Sequence, residues 1–266
     1  NTGSGLSISH NQTDFLTKGL NNALFLQTSN GHARIDGEFE SIDGVSAGKT
    51  VTRIADSLSW QMGAFGGQTL LASMKLRLAS PEQIVDLGGV QDLAGVRKEG
   101  NALVIGAMTR HADVARHADV RATIPALAQL ADGIGDRQVR AMGTLGGSVA
   151  NNDPAADYPA AVLGLGATVI TSARQIAADD FFQGLFASAL KEGELITAIR
   201  FPQPRRAAYV KFRQPASRFS IVGVFVSRGP QGVRVAVTGA GPCVFRANAL
   251  ESRLASSWST TALAGA

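Results

Sequence analysis

The chain reads as an α+β protein, and three observations lead there. Short apolar runs of strand length, such as Ile84–Leu87, Leu103–Met108 and Thr168–Thr171, are mixed with stretches that carry helix start and stop signals. No segment repeats and no tract is of low complexity. Pro202-Gln203-Pro204 breaks regular structure late in the chain and makes a plausible domain boundary.

Taken in order, residues 1–63 stand apart from the rest. They hold 27 Gly, Ser, Thr or Asn and no proline, and four basic against six acidic residues leave them at −2. Residues 64–266 hold all nine prolines, and 21 basic against 15 acidic residues bring them to +6. The first stretch offers short strand-like pieces such as Ala33–Phe39 and no sustained helical period. After it, Leu70–Leu78 is a helix candidate behind a Gly-Gly turn, stopped by Ser80-Pro81. Thr109 is placed to cap a helix through Ala118, and Pro125 to open another through Leu130. Gly143–Ser148 reads as a glycine turn, and Asp157 as the N-cap of a helix from Tyr158 to Leu165. Thr168–Thr171, Leu195–Phe201 and Ala207–Arg213 read as strands. Ser220–Ser227 and Val233–Thr238 suggest a hairpin, and Ala247–Ser256 a last helix.

Composition removes several classes of function. No apolar run approaches the roughly 20 residues of a membrane-spanning helix, and the first residues lack the pattern of a secretion signal. A soluble, cytoplasmic protein is therefore expected. The one cysteine, Cys243, supplies neither a disulfide nor the ligands of an iron–sulfur cluster. His10, His32, His111 and His117 show no metal-site spacing with acidic residues, so no metal is expected. The net charge is +4 and the pI about 9.6. The basic residues are scattered and the chain has two Trp and two Tyr, which argues against a nucleic-acid partner.

Two glycine pairs remain as candidate chemistry. Gly66-Gly67-Gln68-Thr69-Leu70 and Thr144-Leu145-Gly146-Gly147-Ser148 each join adjacent glycines to nearby hydroxyl side chains. Paired glycines permit positive φ and close approach of a ligand, and successive N–H groups in such a turn make an anion-binding concavity. Two such loops face to face would suit a pyrophosphate. Either loop alone is more often just a turn, and neither has the G-x-G-x-x-G spacing of a dinucleotide fingerprint. Gly44…Gly48-Lys49-Thr50 has three residues between its glycines where a triphosphate loop needs four, and is set aside.

Longer motifs carry a resemblance. Gly66–Leu78 (GGQTLLASMKLRL), Val104–His111 (VIGAMTRH), Arg137–Pro159 (RQVRAMGTLGGSVANNDPAADYP) and Glu192–Phe201 (EGELITAIRF) resemble, in order, the FAD-binding medium subunits of molybdenum hydroxylases. These are the flavin subunits of the carbon monoxide dehydrogenase type, related to the flavin domain of xanthine dehydrogenase. Tyr209–Phe225 and Val233–Phe245 are similar to the start of that family's C-terminal domain. The resemblance implies a two-subdomain FAD-binding domain of the molybdopterin dehydrogenase (PCMH-like) type over 64–204, then a small α+β C-terminal domain over 205–266 that is cut short. It implies FAD as cofactor, held by Gly66, Gly67, Gln68, Thr69, Leu70 and Leu71 in a first pyrophosphate loop and by Thr144, Leu145, Gly146, Gly147 and Ser148 in a second. Asp157 would be a polar contact to the cofactor. Ile134, Leu195 and Lys211 would line the flavin or reach its polar edge. Two features depart from the family pattern: residues 1–63 do not resemble its opening strand–helix–strand unit, and Phe65 stands where a small residue is usual.

The resemblance also implies a role. Substrate would be oxidised at a molybdenum cofactor on a large subunit, and electrons would pass through iron–sulfur clusters on a small subunit to FAD here and on to an external acceptor. No catalytic acid, base or nucleophile is needed in this chain, and no Ser/His/Asp arrangement is visible. Two alternatives stay open at this point: a flavin-free or defective scaffold fragment of such a complex, and a self-sufficient FAD-dependent oxidase.

Overall fold

The computed structural model describes residues 86–263, together with Lys75 and two short paired strands, β1 (Ala33–Ile35) and β2 (Glu40–Ile42). The first glycine loop, Gly66–Leu71, lies outside the described residues. So does the expected helix Leu70–Leu78 except for Lys75, which is helical and exposed.

A five-stranded antiparallel sheet carries the larger half. Its order is β3 (Val96–Glu99), β4 (Ala102–Gly106), β9 (Ile196–Pro202), β5 (Thr168–Thr171) and β6 (Gln175–Ala177). The strand expected at Leu103–Met108 is β4, which ends two residues sooner because Ala107 and Met108 turn away. Asp86 and Leu87, the described end of the Ile84–Leu87 run, are not in a strand. Between β4 and β5 the chain forms six short helices: α1 (His111–Arg116), α2 (Ala118–Thr123), α3 (Pro125–Asp132), α4 (Arg137–Met142), α5 (Leu145–Asn151) and α6 (Tyr158–Gly164).

Two capping expectations fail here for local reasons. Thr109 does not cap α1. Its hydroxyl bonds instead to the N–H and carbonyl of Gly95, which fastens the end of β4 to the turn before β3, and Arg110 occupies the N-cap position. The helix expected through Ala118 therefore splits at His117, whose ring accepts from the Asp119 N–H and starts α2. Pro125 does open α3, where its missing N–H costs nothing.

After β6 come α7 (Ala178–Phe181) and the small pair β7 (Phe182–Gly184) and β8 (Ala187–Ser188). The chain leaves the first sheet at Pro202 and enters the second at Arg206. That sheet is four antiparallel strands in sequence order, β10 (Arg206–Arg213), β11 (Ser220–Gly229), β12 (Gly232–Thr238) and β13 (Phe245–Arg246), backed by α8 (Asn248–Ser256). The hairpin between β11 and β12 closes more tightly than expected, with Gly229 opposite Gly232 and Gly232 at φ 85°.

One core joins the halves. Leu103, Ile105, Ile199 and Phe201 of the first sheet pack with Leu127, Leu130, Val149 and Tyr158 of the helices and with Phe225 and Ala236 of the second sheet. Helix α6 is buried at every residue from Tyr158 to Gly164 and packs on β11 and β12. It is the element through which the two sheets are coupled.

Candidate functional site

The second glycine pair is not the open turn that its composition suggests. Leu145 begins α5, so Gly146 and Gly147 are helical, and the glycines with positive φ lie elsewhere, Gly135 among them. The Leu145 N–H donates to the Thr109 carbonyl at 3.0 Å and the Gly146 N–H to the Ala107 carbonyl at 2.8 Å. These two donors are thus not free for an anion, which corrects the reading of the segment as a row of open N–H groups. Gly146 is required for packing: a Cβ there would stand 2.5 Å from the Cβ of Ala107. The hydroxyls remain available. Thr144 accepts the Gly147 N–H at 3.3 Å and so keeps its own proton to donate, and Ser148, half-buried, uses its hydroxyl on no described residue.

Asp157 sits at the N-cap position of α6, yet caps nothing. It turns instead toward the second sheet. Its Oδ1 accepts from the Tyr209 hydroxyl at 2.5 Å and the Ser220 hydroxyl at 3.0 Å, and its Oδ2 from Lys211 Nζ at 3.0 Å. Lys211 also donates to the Arg218 carbonyl at 2.9 Å. Burial pushes the Asp157 carboxyl above its usual range, against the opposing pull of Lys211 and the hydroxyl donors. Burial and the neighbouring carboxylate also push the Tyr209 phenol up, so it stays a donor. Two residues 54 positions apart in sequence are thereby brought into one ion pair, with side chains 9% and 4% exposed for Lys211 and Asp157.

Ile134 belongs to this neighbourhood. It follows Gly133, where a Cβ would lie 3.9 Å from Lys211 Cε, and its carbonyl accepts from Arg140 at 2.9 Å. Arg218, at φ 61°, reaches the Gly135 carbonyl at 3.5 Å and closes the same corner.

Leu195, expected as the first residue of a strand, lies half-buried just before β9, outside the sheet. Its N–H donates to Ser172 Oγ at 3.1 Å and its carbonyl accepts the Ser172 N–H at 2.8 Å. The residue before it is a buried anchor. Glu194 accepts from Arg174, Thr171 and the Lys191 N–H, and these bonds overcome the opposing effect of burial and hold its carboxyl at about 2.

Behind α5 lies a pair that the sequence did not single out. His111 is buried against Gly143 and Tyr158, with the two rings 5.2 Å apart. Burial, helped by Arg140, lowers His111 to about 4, so the ring is neutral. Its Nδ1 and the Tyr158 hydroxyl have no partner among the described residues. Tyr209 and Ser220 were also missed as the groups that orient Asp157. Tyr209 had a faint signal, since it precedes Lys211 by two and so shares its face of the strand. Ser220 had none.

The geometry therefore offers hydroxyls at Thr144 and Ser148, a buried cation–carboxylate pair and half-buried apolar side chains at Ile134 and Leu195. Residues 50–204 match the family described as the FAD binding domain in molybdopterin dehydrogenase. The chain belongs to that family. This flavin-binding domain is 36% identical over 201 residues to the carbon monoxide dehydrogenase medium chain of Hydrogenophaga pseudoflava, covering 71% of this chain and 70% of that one. It is 34% identical over 200 residues to the glyceraldehyde dehydrogenase medium chain of Sulfolobus acidocaldarius, covering 71% of each. Among solved structures, reconstituted CO dehydrogenase from Oligotropha carboxidovorans superposes with a TM-score of 0.70 at 32% identity, covering 79% of this chain and 80% of that one. The cofactor of the domain is FAD, and the chain is an oxidoreductase subunit of the molybdenum hydroxylase medium-chain type. The donor set fits that cofactor: hydroxyls for a pyrophosphate, a charged pair for the polar edge of an isoalloxazine and apolar side chains for its faces. A second match, to the LamB porin family, falls on residues 1–92. No helix among the described residues is long and apolar enough to cross a membrane.

Proposed function

We propose that this chain carries FAD between an iron–sulfur small subunit and an external electron acceptor, in a complex whose large subunit oxidises substrate at a molybdenum cofactor. The observation that carries the reading is the Asp157–Lys211 pair, which joins the flavin-binding domain to the second sheet at a buried charge. When bound, FAD supplies the redox chemistry, and the chain supplies binding, orientation and electrostatics.

Each residue then has a task. Thr144 and Ser148 donate hydroxyl hydrogens to the pyrophosphate, and Gly147 lets it come close. Leu145 and Gly146 hold the helix start against β4 rather than touching phosphate through N–H. Lys211, fixed by Asp157 and the Arg218 carbonyl, presents its ammonium to the polar edge of the ring. Asp157 acts chiefly by holding Lys211, with Tyr209 and Ser220 holding Asp157 in turn. Ile134 and Leu195 exclude water from the ring faces. Gly66, Gly67, Gln68, Thr69, Leu70 and Leu71, which lie outside the described residues, would supply the rest of the pyrophosphate contacts, as the family resemblance implies.

Fluorescence titration of the flavin-free chain with FAD tests this. Lys211→Met is expected to weaken binding at least about tenfold, or about 1.4 kcal/mol, with heat-released cofactor identified as FAD. Unchanged affinity in that variant refutes the site. The role in the complex is tested separately: the purified chain should reduce no dye with carbon monoxide, aldehydes or purines, and should support dye reduction once the two partner subunits are added. Turnover by the chain alone would instead favour the self-sufficient oxidase.

The LamB match on residues 1–92 favours a second reading, in which the front of the chain leaves the flavin pocket incomplete. Replacing residues 1–63 by the strand–helix–strand of a relative, with Phe65→Ala, would then tighten FAD binding about tenfold. Equal affinity would show that the original front already completes the pocket.

A further inference from the structure

We propose that the cleft between α1 and α4 is a second anion site, separate from the flavin pocket, that takes a di- or triphosphate group. The cleft encloses about 680 Å³, and its charged lining is Arg110, Arg116, Arg137 and Arg140 against Asp113 and Asp132. Four guanidinium groups facing two carboxylates leave the cleft at +2.

The pairing within it is incomplete. Arg140 is oriented by the protein: Nη1 donates to the carbonyls of Ile134 at 2.9 Å and Gly135 at 3.1 Å, and Nε lies 3.8 Å from Asp132. The side chains of Arg110, Arg116 and Arg137 make no hydrogen bond or ion pair with any described residue. Like charges drawn together without counter-charges repel, and a polyanion relieves that repulsion. The planar guanidinium fork matches phosphate oxygens two at a time, which favours phosphate over a spherical anion.

The size and lining define the ligand further. A single phosphate would fill little of a 680 Å³ cleft and could not answer all four guanidinium groups, which come from two separate stretches of chain. Among the described residues no aromatic ring lines the cleft, so none of them stacks a base, and recognition by them rests on the phosphate chain. A depression of about 530 Å³ continues the cleft past Arg116 and Asp132 to Arg121, which gives a longer phosphate chain room to extend. The source is either free inorganic polyphosphate or the phosphate tail of a nucleotide whose base stays in solvent.

The test is calorimetric titration of the FAD-saturated full chain, so that the flavin's own pyrophosphate site is filled. The probes are tripolyphosphate, pyrophosphate, orthophosphate, ADP and adenosine. The expected result is saturable binding of tripolyphosphate at least about tenfold tighter than orthophosphate, weakened by salt, with ADP close to pyrophosphate and adenosine silent. ADP binding well above pyrophosphate would name the nucleotide as the source. The double variant Arg116→Ala/Arg137→Ala should lose at least about tenfold in tripolyphosphate affinity, with bound flavin and melting temperature unchanged. Arg116→Lys, which keeps the charge but loses the fork, should bind tripolyphosphate more weakly than the original chain and more tightly than Arg116→Ala. The proposal is overturned by no saturable heat, by undiminished binding in the double variant, by adenosine binding, or by anion binding that occurs only after FAD is stripped. Loss of FAD binding itself is read from the flavin spectrum, so failure of the flavin reading is seen independently.

Discussion

Asp157 is held by three donors from a sheet that begins some 50 residues later, and this makes it the residue whose replacement should tell most. Asp157→Ala leaves the Lys211 ammonium, 9% exposed, without its counter-charge. Breaking a buried pair from one side costs about 3 kcal/mol or more, so the melting temperature should fall by several degrees and FAD affinity with it. Asp157→Asn keeps the shape and one acceptor oxygen, enough for the Tyr209 and Ser220 hydroxyls but not for Lys211, and should cost less. Gly146→Ala makes a sharper test of packing. Its methyl group would meet Ala107 Cβ at 2.5 Å and the Ala107 backbone at 2.9 Å, with no flexible side chain to give way. Overpacking of this kind costs about 1–3 kcal/mol, measurable by urea unfolding of the flavin-free chain, because the strain is present before any cofactor binds. A neutral Gly146→Ala would mean that the helix start can move off β4.

Helix α6 couples the sheets through three kinds of contact. Gly164 admits the Phe225 ring, which would lie 2.8 Å from a Cβ at that position. Its carbonyl accepts from Ser227 at 2.6 Å, and the Leu163 carbonyl from Arg234 at 2.9 Å. Arg234 then spans to Asp179 on α7 with a two-pronged pair at 2.7 and 2.8 Å. Because the end of the same helix carries Asp157, a change at its C-terminal contact should be felt at the cofactor. Gly164→Val is expected to lower stability by about 1–3 kcal/mol and to weaken FAD binding, although residue 164 touches no proposed cofactor contact. Stability and flavin titration on one preparation check this. Lost stability with unchanged flavin affinity would show that the second sheet shifts without moving Lys211.

For the molecule as a whole, two buried groups with lowered values, His111 and Glu194, cost stability as pH falls. His111 has an ordinary value of 6.5 and is lowered to about 4, so the unfolded chain takes up the proton first as pH falls. Its contribution is complete above 6.5, is lost between 6.5 and about 4, and stays constant below that; the full loss is about 3 kcal/mol. Glu194 is lowered from 4.5 to about 2, so its contribution is complete above 4.5 and is lost as pH falls toward 2. Melting temperature against pH should therefore decline in two stages. His111→Phe should remove the first and Glu194→Gln the second. A single decline beginning near 4.5 in the original chain would show that His111 is charged within the fold.

The sequence settled those features that depend on neighbours in the chain. The α+β class, the Pro125 helix start, the strands around Thr168 and Ala207 and the β11–β12 hairpin follow from local periodicity and turn residues, and they stand within a residue or a few of expectation. Longer motifs, read together, were enough for the flavin-binding family, because several segments in fixed order are far more specific than any glycine pair. Tertiary structure settled what depends on residues far apart. Thr109, Asp157 and Gly146 each had a plausible local role as cap, cap and turn glycine, and each was claimed by a distant partner: Gly95, Tyr209 with Lys211, and Ala107. For Thr109 two hydroxyl bonds to Gly95 outweigh the one bond a cap would make; for Asp157 and Gly146 the difference is larger. A capping bond or a relaxed φ is worth about 1 kcal/mol, whereas a buried charge without a partner, or two backbones that cannot approach, costs several. The local preference yields.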